Sequence, residues 1–235
     1  MLIGAHRGAF ADVDPLDENS LSAFKRAIDF KCDYIEFDVH KTLDGKYVIF
    51  HNNDITIDGI KYALKTSNWN NFLEKYRLPI TNEPLPLLNE VIKTCHNKIK
   101  MNIEIKDPTI GKEVVDAVLN LGLDKSNFFV SSFHDSAIQD ITSNFDGIYT
   151  GLLFIGNFWS LKSANKALDY SCKAINPYYR FLTKRLFRFA EKNGLQIHTW
   201  TVNGSKLEKI IKQGRCTSII TNDVLLALNL REKFS

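Results

Sequence analysis

Several kinds of residue pattern are missing from this sequence, and each absence removes a class of protein. Its 235 residues hold only four cysteines, Cys32, Cys95, Cys172 and Cys216, widely scattered, with no CxxC pair and no zinc-ligand spacing. That excludes a disulfide framework and a cysteine-ligated metal. Small buried thiols in a reducing, cytoplasmic setting are the expectation instead. No apolar stretch approaches the ~18–20 residues of a membrane helix. Met1-Leu2-Ile3-Gly4 leads straight into a strand-like segment with no signal-peptide pattern. No stable membrane insertion is expected. Charge of one sign is also scarce: 30 Lys and Arg oppose 27 Asp and Glu, a formal net of +3. No basic run is dense enough to suggest a nucleic-acid stripe. Internal repeats and low-complexity tracts are absent.

What remains is 44% hydrophobic, enough for a sizeable core, and it alternates between two periodicities. Strand-like runs fall at Leu2–His6, Asp33–Val39, Tyr47–His51, Lys100–Lys106, Phe128–Ser132, Ile148–Leu153, Ala174–Asn176, Gln196–Thr201 and Ser218–Thr221. Helical spacing of apolar residues lies between them. Leu21, Phe24, Ala27 and Ile28 mark a helix over Ser20–Phe30, and Leu87, Leu88, Val91 and Ile92 mark one over Pro86–Cys95. Further helices are expected at Ile110–Leu121, Ser136–Ser143, Leu161–Tyr170, Thr183–Asn193, Ser205–Gln213 and Val224–Glu232, with Asn193-Gly194 and Gln213-Gly214 as C-caps. Roughly eight strands, each followed by a helix, predict an α/β fold, a closed (β/α)8 TIM barrel, as one domain over 1–235. The segment Asn53–Pro84 breaks the rhythm. Polar and aromatic, with Trp69, Phe72 and Tyr76, it reads as a short insertion at 53–84 on the barrel's C-terminal face, where active sites of this architecture sit.

The residues with chemistry cluster at strand ends. In Ile35-Glu36-Phe37-Asp38-Val39 the apolar residues take alternate positions, so Glu36 and Asp38 share the opposite face. Glu104 alternates in the same way with Ile103 and Ile105. Inward carboxylates in a barrel are costly unless a cation or base compensates them, and carboxylate oxygens suit a hard divalent ion. Lys106 faces the same way as Glu104 and can neutralise charge on a phosphate. His6-Arg7 closes the first strand: the histidine titrates near neutrality, and the arginine offers a fork matched to phosphate. His51 closes the Tyr47–Phe50 run, which makes it the partner of His6 in an acid–base pair. Asn19 reads as the N-cap of the first helix, and Trp200 as core packing or an apolar wall over a ligand. His134 is a candidate substrate contact. His40, His96 and His198 have no constellation around them, and His198 reads as a buried structural histidine.

The motifs His6-Arg7-Gly8, Glu18-Asn19-Ser20, Asp33 to Val39, Thr42-Leu43-Asp44-Gly45, His51, Ile103-Glu104-Ile105-Lys106 and Thr199-Trp200-Thr201-Val202-Asn203 together resemble the glycerophosphodiester phosphodiesterases, in order along nearly the whole chain. The resemblance implies a (β/α)8 barrel and metal-dependent hydrolysis of a small glycerophosphodiester to an alcohol and glycerol 3-phosphate. It implies Glu36, Asp38 and Glu104 as ligands of Mg²⁺ or Ca²⁺, and His6 and His51 as general acid and base. Arg7 and Lys106 would contact phosphate, Glu18 would join the surrounding hydrogen bonds, and Trp200 would line the glycerol side. The chain departs from the family where His51-Asn52 replaces the usual His-Asp, so Asn52 is expected to support its histidine less. It departs again where Thr221-Asn222-Asp223 replaces Thr-Asp. Three acids in Ala9–Asp17, namely Asp12, Asp14 and Asp17, are expected to bear on local substrate preference. Two other readings stay open. One is a phospholipase D-like enzyme acting on lysophospholipids or sphingolipids, with Trp69, Phe72 and Tyr76 at an apolar entrance. The other is an inactive barrel that only binds phosphodiesters. A homodimer is compatible with the sequence.

Overall fold

The computed structural model describes residues 1–71, 73–156 and 160–234. In chain order the elements are β1 (Leu2–His6), α1 (Leu21–Asp29), β2 (Tyr34–Lys41), β3 (Tyr47–Ile49), β4 (Asp54–Ile57), β5 (Ile60–Ala63), α2 (Leu88–Cys95) and β6 (Lys100–Ile105). There follow α3 (Gly111–Asn120), β7 (Phe128–Ser132), α4 (Asp135–Asn144), β8 (Thr150–Phe154), α5 (Ser160–Asp169) and β9 (Ala174–Pro177). The last are α6 (Lys184–Lys192), β10 (Gln196–Thr199), α7 (Ser205–Gln213), β11 (Ser218–Thr221) and α8 (Val224–Phe234). Eight strands run parallel in the order β1-β11-β10-β9-β8-β7-β6-β2, and a β1–β2 pairing closes the ring. The expected barrel is therefore present, with helices between the strands.

The two-residue period sorts each strand. Ile3 and Ala5 of β1, and Ile35, Phe37 and Val39 of β2, turn outward and are fully buried under the helices. Phe24 of α1 meets Phe37 at a ring-centroid distance of 5.7 Å, so truncating it would cost about 3–5 kcal/mol. The other set turns inward. At the N-terminal end Tyr34 crosses the lumen so closely that a Cβ on Gly4 would meet its Cζ at 2.2 Å. Phe129, Tyr149 and His198 pack edge-on or stacked beside it. His198 is the buried structural histidine its strand position suggested.

One strand assignment differs. Tyr47–His51 does not supply a barrel strand: β3 is three residues long and pairs antiparallel with β2 outside the ring. A short alternating run cannot distinguish a barrel strand from an edge addition. The insertion also has its own structure, a β4–β5 hairpin and a small core of Val48, Ile55, Leu64, Leu73, Leu78 and Leu85. Trp69 and Tyr76 pack against that core rather than forming an apolar entrance, while Phe72 lies outside the described residues. The four cysteines are free and buried.

Candidate active site

Register assembles the site at the C-terminal ends of three adjacent strands. The β1–β2 pairing sets His6 beside Glu36, and the β2–β6 pairing sets Asp38 beside Glu104. Glu36, Asp38 and Glu104 each bring a carboxylate oxygen within 4.8 Å of the others, and only Glu104 is more than marginally exposed. Glu36 accepts from the Arg7 backbone N–H at 3.0 Å through Oε2, whereas its buried Oε1 has no partner. An orphaned carboxylate oxygen beside two further carboxylates is the donor set of a hard divalent cation. The residues present fit such an ion.

The charges around this cluster are unequal. Burial, then Asp38 and Glu104, push the Glu36 carboxyl well above its ordinary pKa. Burial and Asp38 push Glu104 up to about 7. Burial acts the same way on Asp38, but Lys106 and Arg7 outweigh it and hold that group below the usual carboxylate range. Lys106 Nζ lies 2.8 Å from Glu104 and 3.3 Å from Asp38. Arg7 places Nε 3.3 Å from Asp38 and donates from Nη1 to both oxygens of Glu18, at 2.9 and 3.0 Å. Arg7 and Asn19 both hold left-handed backbone, with φ of 54° and 59°, and the Asn19 N–H donates to the Arg7 carbonyl at 2.8 Å.

The two histidines flank the carboxylates. His6 Nε2 lies 3.9 Å from Glu36 Oε2, and His6 Nδ1 donates to Asn222 Oδ1 at 2.7 Å. Burial, then Arg7, lower its pKa to about 4. His51 sits two residues beyond β3 and reaches the site from a loop, its Nδ1 donating to Asn52 Oδ1 at 2.9 Å. Burial lowers its pKa, partly opposed by Asp38. Both imidazoles therefore lean on neutral amides. An amide oxygen fixes the tautomer that leaves Nε2 bare, yet lacks the charge that would stabilise imidazolium.

Across the mouth Trp200 is half-buried, donates through Nε1 to the Asn176 carbonyl at 2.8 Å, and packs against Phe133 and Tyr178 at 5.3 Å each. All nine expected site residues thus lie at one end of the barrel. Several neighbours have roles that local pattern concealed. Asn19 is not the helix cap; Ser20 caps α1, accepting from the Ala23 N–H at 3.0 Å, while Asn19 Nδ2 donates to Asp38 at 2.9 Å. Its place next to Glu18 was the one sequence signal. His40, without apparent neighbours in the sequence, is buried with Nε2 3.4 Å from the His51 carbonyl. His134 faces the Lys106 carbonyl at 3.1 Å. In the Ala9–Asp17 stretch the carboxylates of Asp12 and Asp17 make hydrogen bonds to backbone. Asp12 accepts from the Leu225 N–H at the start of α8. Asp17 accepts from the Ile80 and Thr81 N–H groups of the insertion, and the Asp14 carbonyl accepts from Arg26.

Residues 6–226 match the model of the glycerophosphoryl diester phosphodiesterase family. The chain belongs to that family. It is an enzyme of the phosphodiesterase class. A glycerophosphodiester phosphodiesterase of Caldanaerobacter subterraneus is 29% identical over 99% of this chain and 98% of its own. Among solved structures, a glycerophosphodiester phosphodiesterase of Thermotoga maritima aligns with a TM-score of 0.78 at 25% identity, over 98% of both chains. An Oleispira antarctica phosphodiesterase, solved with the product sn-glycerol-3-phosphate, shares the fold with a TM-score of 0.85 at 17% identity, over 99% and 97%. The closed ring and the strand-end placement of the acidic cluster agree with this membership.

Proposed function

We propose that this enzyme hydrolyses glycerophosphodiesters to an alcohol and sn-glycerol 3-phosphate, using a divalent cation and a pair of histidines. The observation that carries the reading is the juxtaposition of three convergent carboxylates with two imidazoles at one barrel mouth. Glu36, Asp38 and Glu104 would hold Mg²⁺ or Ca²⁺, which when bound supplies Lewis-acid stabilisation of charge on the phosphate. Lys106 and Arg7 add positive charge for the phosphate oxygens, with Arg7 held through Nε by Asp38 and through Nη1 by Glu18. Glu18 fixes the arginine fork, and Trp200 with Phe133 lines the side where the uncharged part of the substrate lies.

One imidazole takes the proton of the attacking oxygen as the new P–O bond forms. The other protonates the departing alcohol oxygen as the old P–O bond breaks. The attacker is water, or the neighbouring glycerol hydroxyl by way of a cyclic phosphate that water then opens. The direct route needs this pair of proton transfers once, and the cyclic route needs it twice, once for ring formation and once for ring opening. Residues 1–235 act as one catalytic unit in this reading, and the free, buried cysteines suit a cytoplasmic, reducing location. The lysophospholipid alternative rested on insertion aromatics, of which Trp69 and Tyr76 are engaged in packing. The inactive-barrel alternative is disfavoured by the presence of every acid and both histidines.

The test is glycerol 3-phosphate release from glycerophosphocholine, glycerophosphoethanolamine and glycerophosphoglycerol, beside choline release from lysophosphatidylcholine, with EDTA and with Mg²⁺ or Ca²⁺ restored. Release from the deacylated substrates that EDTA stops and a cation restores supports the reading. Cation-independent release, or cleavage of the acylated substrate alone, overturns it.

A further inference from the structure

The sequence as a whole is nearly balanced in charge, but its charge is not evenly spread. Residues 180–215 carry nine Lys and Arg against two acids, while the rest of the chain carries 21 against 25. No linear run reveals this, because the basic residues are spaced along α6, α7 and the turns before them. Folding gathers them. Both helices follow strands that end at the catalytic mouth, so their first turns stand on that face. Those turns carry Lys184 and Arg185 in α6 and Lys206 in α7, with Lys209 one turn on. Cations are disfavoured at this end of a helix, where the macrodipole is already positive. The first turn of α6 holds no acid to offset them.

Arg180, Lys206 and Lys209 converge on one cleft of about 400 Å³ whose walls are Tyr179, Leu182 and Ile210. The cleft adjoins the mouth: the Tyr179 N–H donates to the Trp200 carbonyl at 2.9 Å, and Tyr178 packs on the Trp200 ring. Arg180 stacks beside Tyr179, with Nε 3.3 Å from its hydroxyl. Glu208 on the same helix is held by Lys212 at 2.7 Å. Among the described residues, none of Arg180, Lys184, Arg185, Lys206 and Lys209 has a carboxylate within 4.0 Å. Three cations at a partly apolar cleft beside the substrate entrance, with Lys184 and Arg185 on the first turn of α6, form a surface without carboxylate partners among the described residues.

We propose that this face docks on an anionic phospholipid bilayer, with a lipid phosphate between Arg180, Lys206 and Lys209 and the catalytic mouth near the membrane surface. The chemistry favours lipid over other polyanions. The cleft is small and apolar-walled where a nucleic acid would need a longer basic track, and glycerophosphodiesters are what phospholipids become when both acyl chains are removed. Only that second reason rests on the proposed function. Docking is electrostatic and peripheral, since no described helix is long and apolar enough to cross a membrane.

The test is co-sedimentation of the full chain with phosphatidylcholine vesicles, with and without phosphatidylglycerol, at low and high salt. The docking variant is Arg180→Gln, Lys206→Gln, Lys209→Gln. The control variant, Lys31→Gln, Lys98→Gln, Lys173→Gln, removes equal charge from exposed positions in the connections at the opposite end of the barrel. Binding should require phosphatidylglycerol and weaken with salt. The docking variant should lose roughly fivefold per charge, on the order of a hundredfold in all, and the control much less. No partition onto anionic vesicles at low salt would overturn the proposal. So would equal loss in both variants, or tighter binding of a single-stranded oligonucleotide than of vesicles. The assay reads no hydrolysis, so its failure and that of the proposed reaction are distinguishable. Turnover of a soluble glycerophosphodiester should be unchanged in both variants, which also confirms that they fold.

Discussion

His6 and Asn222 stand 216 positions apart in the chain, yet the imidazole Nδ1 and the amide Oδ1 lie 2.7 Å apart. The contact joins the end of β1 to the residue after β11, across the seam where the barrel closes. Asn222 is itself held, its N–H donating to Asn203 Oδ1 at 2.9 Å. His6 is therefore oriented by the far end of the chain. Asn222→Leu should lower turnover on the order of tenfold or more with little change in KM, because ring orientation and tautomer are lost while phosphate contacts remain. Asn222→Asp, which keeps an acceptor at that point, should retain more activity. Steady-state kinetics of the two variants, with circular dichroism to check folding, decide it.

Replacing either histidine removes a proton carrier outright. His6→Ala and His51→Ala should each reduce turnover by roughly two to four orders of magnitude, read as glycerol 3-phosphate release. Near-normal rates in both variants would remove the acid–base assignment.

The carboxylate cluster predicts a cation-dependent thermal shift. At a hundredfold excess over its dissociation constant, Mg²⁺ or Ca²⁺ should stabilise the native protein by about 2.7 kcal/mol, seen as a rise in Tm that EDTA reverses. In Glu36→Gln and Glu104→Gln both the rise and the turnover should be largely lost, since Gln lacks the charge the ion requires. An equal Tm rise in all three proteins would place the ion elsewhere.

His198 predicts a pH dependence of stability separate from catalysis. Burial lowers its pKa from 6.5 to about 4. Between these values the unfolded chain binds a proton that the native imidazole refuses. Its stabilising contribution is complete above about pH 6.5, falls as the pH drops towards 4, and levels off below. The loss is at most about 3 kcal/mol for a shift of this size. His198→Phe should flatten that part of a urea-denaturation profile across pH; an unchanged slope would show that another group titrates there.

Gly8 is fixed by two constraints at once. Its φ is 84°, and a Cβ there would lie 2.7 Å from Ala23 Cβ on α1. Gly8→Ala should destabilise the fold by roughly 1–3 kcal/mol or more and displace Arg7, lowering both Tm and turnover. Wild-type Tm would show that the first strand–helix corner can yield.

Much of this was legible in the sequence because it is periodic. Alternation in Ile35–Val39 and Met101–Ile105 put Glu36, Asp38 and Glu104 on inward faces, and the repeated exchange of strand and helix spacing gave the ring. The insertion was visible as a break in rhythm but not as a hairpin, because its small apolar core is drawn from residues spread between Val48 and Leu85. Asn19 misled for a related reason. A side chain before a helix satisfies the capping pattern locally, whereas its real partner, Asp38, is 19 residues away.

The sequence by itself determined which faces are apolar, which strand ends carry ionisable groups, and hence that a charged mouth exists. Tertiary structure decided the rest: which carboxylate stands opposite which, that amides rather than carboxylates hold the two imidazoles, and that dispersed lysines and arginines form one basic rim. The physical reason is range. Periodicity is set by backbone geometry over a few residues, while register, hydrogen-bond partners and electrostatic neighbours depend on distances that exist only once the ring has closed.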